Sequence, residues 1–303
     1  MNETEINITL QGNQTSERQG QGKNNSRNQK AKFRKRRLAF VLIVILLFWL
    51  YSNYTLKTTK VSISTSKVRS NVRIAVISDL HASKHGIGNW RILRRINRAS
   101  PDAVMILGDM YTSGSSWDLI EIPIELTKSI VDAGYPVYYV TGEHDTNDEY
   151  KRKIAQTGAH LMDYKSEIVN INNNKFQIMG IDNVYYTDTF DLNNEFTLRA
   201  DCYNILMAHI PNFEKFASFG ADLTLCADTH GEMIQLPFGL GPLYSSESST
   251  WFPKLSGGEA VYDKGMFSYN GGQMFITSGI GDAPAPIRLN NRPEVVVIDI
   301  QPE

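Results

Sequence analysis

Cysteine is nearly absent. Cys202 and Cys226 are the only two, and they lack Cys-x-x-Cys spacing. A zinc ribbon and a thioredoxin-type site are therefore excluded. One disulfide is possible in an exported domain, but the apolar runs around both residues favour two buried thiols. Net charge is nearly absent too, at −1 over 303 residues, so the average points to no polyanionic partner. Histidine is scarce, with six residues, which makes its distribution informative. No apolar run of membrane-spanning length follows residue 56, yet an apolar fraction of 42% is ample for a buried core.

The charge average hides an asymmetry. Residues 1–37 carry nine basic and three acidic side chains, a net of +6, and the remainder carries −7. A basic head on an acidic body indicates topology or targeting. Residues 1–30 are rich in Asn, Gln, Ser and Gly and are expected to be disordered. KAKFRKRR (30–37) then precedes an uncharged stretch from Leu38 to Leu56. Those 19 residues would reach about 28 Å as a helix, roughly the hydrocarbon thickness. Trp49, Tyr51 and Tyr54 fall where an interfacial aromatic belt would lie. The reading is a single-pass transmembrane signal-anchor at the cell membrane. A cleaved signal peptide competes with it, but no Ala-x-Ala-like site follows the run. Arg36-Arg37 invites a twin-arginine reading, with Phe40 one place late. Six basic residues in 30–37 put the N-terminus in the cytoplasm and the rest outside.

Residues 57–71 read as a polar stalk, and 72–301 as the folded domain. Strands are expected at 72–81, 103–109, from Val137 to Gly142, at 203–211, 221–230, 273–279 and 294–300, with a hairpin around Asn172-Asn173-Asn174. Helices are expected at Asn89–Ala99, at Trp117–Ala133 with an interruption at Pro123, and at Asp148–Gln156. Strands separated by helices imply an α/β sheet with parallel pairs.

The polar residues collect at strand ends, where open α/β sheets bind ligands. The ends read Asp79-Leu80-His81, Gly108-Asp109, Gly142-Glu143-His144-Asp145, His209-Ile210-Pro211 and Asp228-Thr229-His230-Gly231. Four of the six histidines lie there. Each piece alone is commonplace, and a Gly-Asp after a strand is usually only a turn. Five in order, on one edge, point to a metal centre. Asp and His at alternate positions of an extended segment face the same way. Mixed carboxylates and imidazoles suit Mn, Fe or Zn, in number enough for two divalent ions.

This order of motifs resembles the calcineurin-like metallophosphoesterases over roughly residues 72–301. It looks closest to a membrane-associated bacterial branch that includes UDP-2,3-diacylglucosamine pyrophosphatases, whose tail SGIGDAPAPIRLNNRPEVVVIDI (278–300) is similar. The resemblance implies a four-layer αββα sandwich of mixed β-sheets flanked by helices, with two metals at its edge. Asp79, His81 and His230 would hold the first ion, Asp109 would bridge, and His209 would serve the second. His144 would lie beside the scissile phosphate, with Asp145 orienting its ring, and a water activated by the ions would attack phosphorus.

Two residues depart from the family pattern. Glu143 stands where Gly-Asn-His-Asp/Glu has Asn, and Asp228 stands where Gly-His-x-His has its first His. Both changes fall on the second metal. With Asp79 and Asp109 they make four carboxylates, which cancel the +4 of two divalent ions. An oxygen-rich site favours Mn²⁺, with Mg²⁺ or Ca²⁺ as further hard ions and Fe or Zn²⁺ as alternatives. The site is thus either retuned or degenerate. Arg288 would hold a substrate phosphate or pair with a surface acid. Tyr185-Tyr186 and Trp251-Phe252 would line an acyl-chain groove, or simply be core or surface. The expected activity is a membrane-anchored hydrolase of a phosphodiester or pyrophosphate, on a phosphorylated small-molecule or lipid substrate. An inactive metal-binding module is the alternative. A nuclease ranks last, since the acidic body offers no basic groove and no nucleic acid is expected.

Overall fold

The computed structural model describes residues 32–182, 189–246, 248–256, 260–282 and 285–303. The chain divides into two units, Met1–Trp49 and Leu50–Glu303. In the first, helix α1 (Lys32–Tyr54) begins, and every residue from 32 to 48 is exposed along it.

The second unit is built on two six-stranded sheets. The first runs β1 (Lys57–Ser64), β14 (Glu294–Gln301), β2 (Val72–Ile77), β3 (Ala103–Ile106), β4 (Val137–Tyr139), β5 (His160–Leu161) in spatial order. The second runs β12 (Gly265–Tyr269), β13 (Gly272–Ile276), β9 (Leu223–Cys226), β8 (Tyr203–Ala208), β7 (Asn174–Ile181), β6 (Lys165–Ile171). A small ribbon joins β10 (Tyr244–Ser245) to β11 (Thr250–Trp251). Both sheets are mixed. β2 to β5 run parallel, as do β7, β8, β9 and β13, while β14 opposes β2, β6 opposes β7 and β12 opposes β13.

Period-two alternation sorts the strand residues into layers. Ile74 and Val76 of β2 meet Ile178, Ile205 and Leu225 of the other sheet in the central core. Ala75 and Ile77 face the opposite way, against α2 (Asn89–Ala99), α3 (Trp117–Asp132) and α4 (Asp148–Gln156). On the far side, α5 (Leu192–Glu195) and α6 (Phe213–Phe219) cover the second sheet through Leu192, Phe216 and Phe219. The architecture is the expected four-layer αββα sandwich, two mixed sheets flanked by helices. Burial on both faces explains why its central strands read as unbroken apolar runs.

Three expectations need correction. The segment expected as a stalk is β1, paired in parallel with β14 from Lys57↔Glu294 to Ser64↔Gln301. Its Val61 and Ile63 pack on the core between polar neighbours, which gave it a polar average. The domain also reaches back into α1: Ser52 and Asn53 at its end are buried in the second unit, as is Leu56 just beyond it. Finally, α3 runs through Pro123 without a break. The ring removes the bond to the Leu119 carbonyl, while Asn89 Nδ2 donates to the Ile122 carbonyl at 2.8 Å and Pro123 is buried, so docking holds the helix. The hairpin turn falls on Asn172 and Asn173, at φ 49° and 62°, a backbone that asparagine tolerates well. Cys202 and Cys226 are free and buried.

Candidate metal centre

The C-terminal ends of five parallel strands from both sheets open on one edge. Asp79 and His81 follow β2, Asp109 follows β3, and Glu143 and His144 follow β4. His209 follows β8, and Asp228 and His230 follow β9. Leaving the strands abruptly requires unusual backbone. Asp79, His81, Asp109, Asp228 and His230 all have positive φ, from 40° to 67°. Non-glycine residues adopt that region at a cost and keep it where surrounding structure imposes it, commonly at functional sites. Two glycines admit the carboxylates. A Cβ on Gly142 would overlap Asp109 Oδ1, and one on Gly279 would lie 2.6 Å from Asp79 Oδ2.

The side chains converge in four groups whose candidate ligand atoms lie within 4.8 Å of one another. They are Asp79–His81–His230, His81–Asp109–His144, Asp79–Asp109–His209 and Asp109–Glu143–Asp228. Asp109 belongs to three of them and sits where a shared ligand would. The two residues that depart from the family pattern therefore meet at the same place. The Asp228 side chain is 32% exposed and that of Glu143 51%.

The hydrogen bonds set the imidazoles. His209 Nδ1 lies 2.6 Å from the Leu107 carbonyl, which can only accept, so the proton is on Nδ1 and Nε2 faces the carboxylates. That Nε2 is 3.2 Å from Asp109 Oδ2 yet out of line for a hydrogen bond. Asp79 Oδ2 is likewise buried without a partner. Unpaired buried polar atoms are rare and call for an explanation. A cation between them supplies one, so the donor set fits divalent metal. Burial alone would depress the His209 pKa, but Asp109, Asp79 and Asp228 raise it to about 10. Burial raises Asp79 to about 7, with Asp109 and Asp228 adding to the effect and His209 opposing it.

His81 and His230 respond oppositely. Burial lowers His81 to about 4 and takes His230 well below the usual imidazole range, where Arg288 pushes it further. Both are neutral rings, as ligands must be. Their Nε2 atoms are 3.2 Å apart, and His81 Nδ1 is 3.1 Å from Thr112 Oγ1. His144 is held by its neighbours. Its backbone N–H donates to Asp109 Oδ1 at 2.8 Å, and its Nδ1 accepts from the Ser113 N–H at 3.1 Å. The neutral ring thus carries its proton on Nε2, which lies 3.9 Å from both Asp109 Oδ2 and Glu143 Oε1.

Two site assignments are corrected. Asp145 does not orient the His144 ring. Its carboxylate accepts from Met110 N, Tyr139 Oη and Gly142 N, at 3.1, 2.8 and 3.3 Å. It braces the two loops that carry Asp109 and Glu143. Arg288 binds neither a surface acid nor an accessible phosphate. It is 0% exposed and donates to the carbonyls of Ser278 and Gly281, while Nη2 lies 3.4 Å from His230 Nδ1. The tail that resembled a narrower branch is scaffolding: Gly279 packs on Asp79, Arg288 backs His230, and Glu294 accepts from Ser278 N. Thr112 and Ser113 went unnoticed in the sequence, although both stand just after Gly108-Asp109.

Beside the centre lies a cavity of about 720 Å³. Asp228 and His230 form one wall, and Ile210, Met233, Leu243 and Trp251 are among the apolar residues of the others. Phe252 is not among its walls, and Tyr185-Tyr186 lie outside the described residues.

Comparison with known proteins agrees with this geometry. Residues 72–232 match the calcineurin-like phosphoesterase family. The chain is 22% identical over 260 residues to the "uncharacterized metallophosphoesterase YkuE" of Bacillus subtilis, covering 82% of this chain and 86% of that one. It is 24% identical over 285 residues to the "uncharacterized metallophosphoesterase Cj0846" of Campylobacter jejuni, covering 86% and 68%. It is also 24% identical to the "putative metallophosphoesterase F40B5.2" of Caenorhabditis elegans, with 86% of this chain aligned to 56% of the longer protein. The chain belongs to the calcineurin-like phosphoesterase family, hydrolases of phosphoric esters that use divalent metals.

Proposed function

We propose that the protein is a membrane-anchored phosphodiesterase or pyrophosphatase whose second metal site is tuned to a hard ion, Mn²⁺ first. The observation that carries this is the meeting of Asp109, Glu143 and Asp228 around one point. Asp79, His81 and His230 would hold one ion, Asp109 would be shared, and His209, Glu143 and Asp228 would hold the other. Bound there, the ions would supply Lewis acidity and lower the pKa of a nucleophilic water. The protein's own part is orientation and proton control. Ser113 fixes the His144 tautomer, and His144 Nε2–H would donate to a phosphate or leaving-group oxygen. Asp145, Tyr139 and Tyr150 hold the loops still through a buried chain of hydrogen bonds.

The cavity beside Asp228 and His230 supports a substrate with an apolar substituent, such as a lipid-linked phosphoester. Helix α1, 23 residues long and apolar enough to span a bilayer, supports anchoring, with the N-terminus cytoplasmic and the domain outside. The test is hydrolysis of bis-p-nitrophenyl phosphate with Mn²⁺, beside His144→Ala, and of p-nitrophenyl alkyl phosphodiesters of increasing chain length. His144→Ala is expected to lose on the order of 10²–10⁴-fold. kcat/KM should rise with alkyl length and stop rising in Trp251→Ala. No hydrolysis of any diester by a folded, Mn²⁺-loaded protein would refute the reading.

A further inference from the structure

The surface of α2 carries a second site. Its sequence, Asn89 to Ala99, places Arg91, Arg94, Arg95 and Arg98 three and four residues apart, so all four share one face. Ile92 and Ile96 hold the other face in the core. With Trp90 and Leu56, the four arginines line a separate cavity of about 200 Å³. Such a row of like charges repels itself, and the usual compensation is missing. The helix has no acid in its first turn, and none of the four arginines forms an ion pair among the described residues. An anion is what this face lacks.

Its position says which anion. Arg95 Nη2 donates to the Leu56 carbonyl at 2.9 Å, and Leu56 follows the last residue of the apolar helix by only two positions. Trp90, which lines the same cavity, is 66% exposed. An exposed indole beside a row of guanidiniums suits the level of lipid headgroups. Guanidinium forks match phosphate oxygens bidentately, and a cavity of about 200 Å³ has room for a headgroup.

We propose that this arginine face binds the phosphate headgroup of an anionic phospholipid from the bilayer that receives α1. The inference rests on the proposed anchoring for the source of the lipid, and it does not depend on the catalytic reading. The test uses the full chain in neutral detergent micelles, titrated with fluorescent phosphatidylglycerol, with phosphatidylcholine and inorganic phosphate as competitors. Saturable binding is expected, displaced by unlabelled phosphatidylglycerol but not by equal concentrations of the competitors. Each exposed arginine replaced should weaken binding about fivefold, and Arg94→Gln with Arg98→Gln together on the order of 20-fold. Hydrolysis of bis-p-nitrophenyl phosphate should be unchanged in both, and the single Arg94→Gln serves should the double variant misfold. Equal binding by wild type and variants, or equal displacement by phosphatidylcholine, would overturn the proposal. Displacement by inorganic phosphate would overturn it too, by assigning the site to free phosphate. Loss of anchoring would show instead as release of the full chain from membranes in fractionation, a separate readout.

Discussion

Asp109 is the residue on which the centre turns, and its surroundings make the sharpest single-residue predictions. Its carboxylate occupies the space that a side chain at position 142 would need. Gly142→Ala should therefore displace a shared ligand, with kcat falling on the order of 10²-fold in steady-state assays while the fold persists. Asp145 makes a different prediction. Burial raises its pKa to about 7, from an ordinary carboxylate value in the unfolded chain. Between about pH 4 and 7 the folded state holds a proton that the unfolded state has released. Folding is thus favoured most at low pH, and this contribution is lost as pH rises towards 7. Asp145→Asn removes the titration. In thermal melts, the variant should gain on wild type as pH rises from about 4 to 7, with no further change above. Arg288 is the residue the sequence misled on. Pro-x-Arg near a phosphate site suggests a ligand for phosphate, and nothing in one sequence says that the side chain is walled in. Because its donors go to carbonyls and to His230, Arg288→Gln should cost about 3 kcal/mol of stability in denaturant titration. KM should be unaffected in whatever fraction folds.

At the scale of elements, some bounds were legible and others were not, for physical reasons. Helices α2 and α4 have the bounds expected of them. Asn147 caps α4 through Tyr150 N, and Asp148 and Glu149 fill its first turn, all local signals. Strand β1 was missed because its partner, β14, lies more than two hundred residues away and only one side of it meets the core. Strand β12 was missed for a similar reason: it has no fully buried residue. The end of α1 was read as membrane throughout because uncharged residues do not say what buries them. Here Asn53 exchanges hydrogen bonds of 2.9 Å with the backbone of Arg288, and Arg292 reaches Thr55 Oγ1 and Tyr51 Oη. This join should matter to the domain. A chain starting at Lys57 should be about 2–3 kcal/mol less stable in urea than one starting at Leu50, having lost the Leu56 side chain and the Asn53 bonds.

The second unit as a whole is two sheets whose parallel strands end at one edge and whose candidate metal ligands come from both. The five strand-end motifs were readable because each is local, and their convergence was readable because parallel α/β strands share an edge. Neither Thr112, which contacts the His81 ring, nor Ser113, whose N–H sets the His144 tautomer, was readable, since loop geometry decides both. The concentration of carboxylates has a consequence for the molecule as a whole. Removing metal leaves acidic groups crowded around His209, so a chelator should lower the melting temperature and Mn²⁺ should restore it. At a hundredfold excess over Kd the restored stability is about 2.7 kcal/mol.

The most direct test is the activity of Glu143→Asn combined with Asp228→His, measured against bis-p-nitrophenyl phosphate with Mn²⁺ and with Zn²⁺ beside wild type. A site tuned to hard ions predicts that wild type prefers Mn²⁺, and that the double variant loses about tenfold or more with Mn²⁺ and shifts towards Zn²⁺. A strong gain of activity in the double variant, with Mn²⁺ as well as Zn²⁺, would contradict the account and mark Glu143 and Asp228 as the remains of a decayed site.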